Sequence, residues 1–162
     1  MAARYTDQEI AQLVQEKKLL PQNYRSKIQL RDKRGHKERE LDFNGSEGNQ
    51  FRLILQQSDL NPLDFSIILA VFPPKSNQMY RLRRYNGKSH EHTNQIENST
   101  FYDFHIHQAT ERYQDLGTQE DAYAEPTDRY SDFSSALHCM LHDCRFEMPH
   151  DPQLTFLEEN EP

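Results

Sequence analysis

The sequence predicts an α+β fold: a twisted antiparallel sheet of about five to six strands, with an N-terminal and a C-terminal helix packed on one face. Three observations carry this. Between residues 24 and 107, segments of alternating polarity follow one another through short polar turns, the mark of a meander. Residues 64–72 are apolar on both faces, as a central strand must be. Helical spacing of apolar residues is confined to the two ends of the chain. The chain reads as a single domain over 1–147, with an acidic tail at 148–162 expected to be disordered.

The elements follow in order. Residues 1–21 hold a helix, because Thr6-Asp7-Gln8-Glu9 is a capping box and Ile10, Leu13 and Val14 recur at helical spacing. Lys17 and Lys18 suit its negative end, and Pro21 closes it. The meander spans 24–107. Residues 24–31 and 38–43 read as a hairpin about Asp32-Lys33-Arg34-Gly35. Phe51, Leu53 and Leu55 mark the next strand, 64–72 the central one, 79–85 an arginine-rich one and 101–107 the last. Residues 108–130 form a long polar loop, and loops of that length are usually functional or flexible. A helix over 131–145 starts at a Ser131 cap and presents Phe133, Leu137, Met140, Leu141 and Cys144.

Composition narrows the function. Hydrophobic residues make up 35% of the 162-residue chain, and the aromatic share of 10% still supports a folded core. No apolar run has the ~20 residues of a membrane span. The first residues lack an apolar signal core, so a cytoplasmic protein with no membrane partner is expected. Five scattered glycines leave no phosphate loop. Cys139 and Cys144 diverge on one helix, so no disulfide is expected between them. The net charge of -7 divides unevenly, +4 over residues 1–100 and -11 over 101–162. Such asymmetry bears on partners. The acidic half suits a basic partner. Lys27, Arg31, Lys33, Arg34, Lys37, Arg39 and Arg52 could track a phosphate backbone, although interleaved acids make a solvated face the better reading.

Eight histidines give the chemistry. Alternation sets Tyr102, Phe104 and Ile106 toward the core and Asp103, His105 and His107 on the opposite face. His90 and His92 lie in the preceding loop, beyond a strand bearing Arg83, Arg84 and Tyr85. If these strands pair, four histidines gather near arginines. One chemistry is metal-free RNA cleavage. His90, His92, His105 and His107 would act as acid and base, and Arg83, Arg84, Tyr85 and Arg112 would bind substrate. The other is a metal site built on two His-x-His pairs. No cofactor is expected, and metal ranks below the metal-free reading.

Over residues 51–146 the chain resembles a family of uncharacterised bacterial and phage-associated proteins. The likeness is carried by Arg84-Tyr85-Asn86-Gly87-Lys88-Ser89-His90-Glu91-His92-Thr93-Asn94 and Phe101-Tyr102-Asp103-Phe104-His105-Ile106-His107. More distantly it is similar to TumE-type toxins of bacterial toxin–antitoxin pairs. Those have adjacent His-His pairs preceded by Pro, where this chain has His-x-His twice. The resemblance implies a toxin–antitoxin or defence-type protein acting on RNA, with a cognate antitoxin as partner. The alternatives are a non-enzymatic interaction or inhibitor protein using the acidic half, and a metal-binding module. Oligomeric state is left open.

Overall fold

The structure, a computed structural model, describes residues 3–149. From residue 150 on, the expected tail lies outside the described residues. The fold is α+β, as predicted, and its sheet is larger than expected, with seven antiparallel strands. Helix α1 (Asp7–Gln15) begins at the Thr6–Glu9 capping box and buries Ile10, Leu13 and Val14. Strand β1 (Lys18–Leu19) and helix α2 (Tyr24–Lys27) follow. Residues 24–31 were expected as a strand, but 24–27 form a helical turn, and Tyr24 and Ile28 rest on the core from it. Apolar residues four apart satisfy a helix as well as alternation satisfies a strand.

Strands β2 (Arg31–Lys33), β3 (His36–Asn44), β4 (Gln50–Ser58), β5 (Phe65–Val71) and β6 (Tyr80–Asn86) form the meander. Next come β7 (His92–Asn94), β8 (Ser99–Phe101), β9 (His105–Gln108), α3 (Glu111–Leu116), β10 (Tyr123–Pro126), α4 (Phe133–Asp143) and β11 (Phe146–Glu147). The main sheet runs β10-β9-β6-β5-β4-β3-β2. β7 and β8 form a hairpin outside it, and β11 pairs in parallel with β1. The stretch 108–130, expected as a loop, thus contains α3 and the edge strand β10. Asp132, not Ser131, caps α4, because its carboxylate accepts from the Ser135 N–H at 2.8 Å. Cys139 and Cys144 are both free, as expected. No helix among the described residues is long and apolar enough to cross a membrane.

Cross-strand partners share a face. Leu53, Leu69 and their neighbours Phe51, Leu55, Ile67 and Val71 are buried on the face that α1 and α4 cover. The other face is apolar at Ile54 and Ile68 and turns polar toward β6 and β9. One interaction ties both helices to this frame. Lys18 is fully buried, with Nζ 2.7–3.0 Å from the carbonyl oxygens of Leu13, Val14, Glu16 and Cys144. It lies 4.8 Å from the centre of the Phe51 ring. The ammonium thereby serves the carboxyl ends of α1 and α4 together, as the sequence suggested for α1 alone. Burial pulls its pKa down to about 8, while the Cys144 and Glu16 side chains oppose the shift.

Replacing Lys18 leaves several buried carbonyls without a donor, and each such group costs about 1–3 kcal/mol. Lys18→Met should lower unfolding free energy by about 3 kcal/mol or more in urea titration. Lys17→Met, at an exposed neighbour, should change it by less than about 0.5 kcal/mol. Equal effects would refute this account.

Candidate metal centre

The pairing of β6 with β9 builds the site. Its register sets Arg84 opposite His107 and Asn86 opposite His105, so all four side chains share the polar face. A bulge opposite Leu69/Ala70 adds one residue to β6 at Leu82. It brings Arg81 onto the same face as Arg84, which simple alternation forbids. After Asn86 the chain leaves the sheet at Gly87. A Cβ there would stand 1.8 Å from the Leu63 carbonyl oxygen, so the close crossing requires glycine. The chain then folds back as the β7–β8 hairpin and covers the polar face.

Asn94 docks that hairpin. Its amide donates to the Ala124 carbonyl (2.7 Å), and its Oδ1 accepts from the Ala124 N–H (2.9 Å), imitating a strand pair with β10. The hairpin tip is held by α3. Tyr113 Oη accepts from the Ile96 N–H and donates to Glu97, while Arg112 Nε donates to the same carboxylate at 2.7 Å.

Three imidazoles meet under the hairpin. Ring centres stand 5.5 Å apart for His92 and His105, 4.9 Å for His92 and His107, and 5.0 Å for His105 and His107. One nitrogen from each ring lies within 4.8 Å of the others. His105 and His107 are 0% and 3% exposed, and His92 is half-buried. The sequence predicted the common face of His105 and His107, and the hairpin is what buries it. His90 joins from the exposed rim, its ring centre 5.8 Å from that of His105.

The partners of the rings decide their protonation. His105 Nδ1 lies 2.8 Å from the Asp103 carbonyl and His107 Nδ1 2.8 Å from the Asp121 carbonyl. A carbonyl only accepts, so each Nδ1 carries the hydrogen and each Nε2 keeps its lone pair, which on His105 faces the Asn86 amide Nδ2 at 3.5 Å. His92 Nε2 is 2.8 Å from Asn94 Oδ1, an oxygen already fixed as an acceptor by Ala124. His92 therefore donates through Nε2 and keeps the lone pair on Nδ1. Burial holds His105 down at about 4, with the His92, His90 and Arg84 charges adding to it and the Asp103 carbonyl opposing. Burial, then the Arg84 charge, holds His107 at about 2. Both rings are neutral, the form a metal takes.

Beside His107 sits Asp121, fully buried. Arg81 Nη2 is 3.2 Å from one of its oxygens and Arg84 Nε 3.4 Å from the other. Neither oxygen has a hydrogen bond of good geometry, nor has Arg84 Nε, so charge alone holds this group together. Burial raises the Asp121 pKa and the two arginines oppose it. A cleft of about 330 Å³, lined by His90, His92, His107, Arg84, Asn86 and Tyr113 among others, opens onto the rings.

Four expected site residues, His90, His92, His105 and His107, come together, and Arg84 joins them. Arg83 and Tyr85 do not. They face the helices, where Tyr85 is fully buried and its hydroxyl bonds Asp143, itself clasped by Arg129. Arg112 braces the hairpin through Glu97 and lies 4.4 Å from the centre of the Tyr123 ring. Asn86, Asn94, Asp121 and Tyr130 were not foreseen as site residues. Tyr130 Oη donates to the carbonyls of Asn86 (2.7 Å) and His105 (2.9 Å), clamping the ends of β6 and β9. The alternation of Tyr123, Ala124 and Glu125 could have revealed β10 and hence the backbone that Asn94 grips. Comparison of the chain with protein-family models, with curated proteins and with solved structures finds no match.

Folding depresses both buried histidines below the ordinary 6.5. Below that pH the unfolded chain binds protons the native chain refuses, so stability present above pH 6.5 is lost on acidification. The urea midpoint in a chelating buffer should decline from pH 6.5 toward 4, and the decline should be shallower in His107→Gln. A flat midpoint over that window would contradict the buried, neutral rings.

Proposed function

We propose that this chain is a transition-metal-binding protein whose centre is His92, His105 and His107, holding a zinc-type divalent ion with a fourth position open to the cleft. One observation carries the reading. Each ring spends one nitrogen on a carbonyl oxygen, and the three other lone pairs belong to rings packed about 5 Å apart. Imidazoles around an ion at about 2.1 Å would have ring centres roughly 5 Å apart. Hydrogen bonding of the second ring nitrogen is the usual support of a histidine ligand. Three protein ligands with an open position characterise metal centres that activate water, so Lewis-acid hydrolysis is the chemistry this centre suits.

Metal-free acid–base cleavage has less support. A general acid must carry a proton at the working pH, and burial keeps His105 and His107 unprotonated. An RNA-directed role and a toxin–antitoxin setting rest on the resemblance and add no residue to the site.

Chelator-treated protein titrated with cobalt(II) or zinc should bind one ion per chain, with a visible cobalt spectrum of low coordination number. Saturating zinc at a hundredfold excess over Kd should raise stability by about 2.7 kcal/mol. His105→Ala, His107→Ala should fold and lose both effects. Wild-type protein that retains no ion would sink the reading.

A further inference from the structure

We infer that the open side of this centre takes a phosphate-bearing ligand, bound between the ion and the Arg84 guanidinium. The inference rests on the metal reading and adds a substrate class to it. Charge is the first ground. The three ligands are neutral imidazoles, so a divalent ion would keep its full charge. No acidic side chain is among those that line the cleft, and three acids close by are already engaged. Asp121 faces both Arg81 and Arg84, Glu120 faces Arg81, and Glu97 is held by Arg112 and Tyr113. None of these acids is left to neutralise the ion, so an anion from solution would complete the site.

Position is the second ground. Arg84 is the direct cross-strand neighbour of His107 and lines the cleft. Its Nε faces Asp121 at 3.4 Å, so Arg84 balances that buried carboxylate, while its terminal N–H groups have no hydrogen-bond partner among the described residues. Ion and guanidinium would then stand on one wall of the cleft. A guanidinium matches phosphate oxygens through its fork.

The remaining wall is the third ground. Around the opening the amide donors of Gln95 and Gln119 have no partner among the described residues, while Asn86, Thr93 and Thr118 are engaged with His105, Thr100 and the Tyr113 carbonyl. With two cationic centres, that is more donor capacity than the two oxygens of a carboxylate can use, and it suits the three or four oxygens of a phosphate. If the bound ligand is a phosphate ester, the reaction is balanced by water alone. The water oxygen would bond to phosphorus as the ester P–O bond breaks, and the leaving oxygen would take a proton from that water. The products are the free alcohol and the phosphate left with one ester link fewer.

The test uses the full chain loaded with cobalt(II), titrated with inorganic phosphate and separately with acetate, and followed by the cobalt absorption and by calorimetry. Phosphate should saturate and change the spectrum, and acetate should bind at least tenfold more weakly. Arg84→Gln should keep one cobalt per chain and weaken phosphate at least tenfold. Arg84→Lys, which keeps the charge and loses the fork, should fall between the two. Equal binding of acetate and phosphate overturns the inference, as does phosphate affinity unchanged by either variant. A wild-type protein that binds cobalt but ignores phosphate defeats the inference alone; one that binds no cobalt defeats the metal reading with it. The acetate comparison needs no variant, so it decides the matter even if Arg84→Gln fails to fold.

Discussion

Everything at the candidate centre depends on the register of β6 against β9. Side chains alternate with a period of two, so a slip by one residue would turn His105 and His107 onto the helix-covered face and leave Tyr85 and Ile106 among polar groups. Several interactions forbid the slip. Tyr85 and Ile106 are cross-strand partners buried in the main core. The Tyr130 hydroxyl grips the carbonyls of Asn86 and His105 from the helix side. Asp121, held between two arginines, offers its carbonyl to His107 from β10's side of the sheet. The core on one face thus fixes the chemistry on the other, and the two faces communicate only through the backbone they share.

Much of this was legible in the sequence. The capping box, the doubly apolar central strand and the alternation of β3 and β4 were read correctly, because each is local. The strand expected over 101–107, by contrast, is broken between Phe101 and His105, and Tyr102, expected in the core, is exposed. The histidines were also placed on one face, since alternation of Phe104, His105, Ile106 and His107 needs no tertiary knowledge. What escaped was whatever needs a second element. The bulge at Leu82 moves Arg81 to the polar face beside Arg84, and no pattern in Arg-Leu-Arg-Arg announces it. The burial of His105 and His107 depends on a hairpin whose strands are three residues each, too short for periodicity to reveal. Nothing in the sequence announces that the Asn94 amide pairs with Ala124.

The charge asymmetry changes meaning in the same way. The positive front and negative back of the chain meet in the fold. Arg4 pairs with Asp115, Lys17 with Glu147, and Arg81 and Arg84 with Asp121. What looked like a polarised surface is in part a set of long-range ion pairs. Exposed pairs of this kind contribute little to stability. The buried one beside His107 matters for a different reason: it sets the electrostatic environment of a candidate ligand.

The hairpin docked by Asn94 has a kinetic and thermodynamic corollary. Two of the three imidazoles ride on β9, paired on both sides within the sheet, whereas His92 arrives on a small flap. An ion caught by His105 and His107 would meet the third ring at the effective concentration of an intramolecular partner. Its apparent affinity would then be the intrinsic affinity scaled by the fraction of molecules with the flap down. Residues such as Asn94, Glu97 and Tyr113, which touch no ion, would therefore govern how fast a metal leaves, and loading would lock the flap closed as a non-covalent cross-link between the hairpin and the sheet.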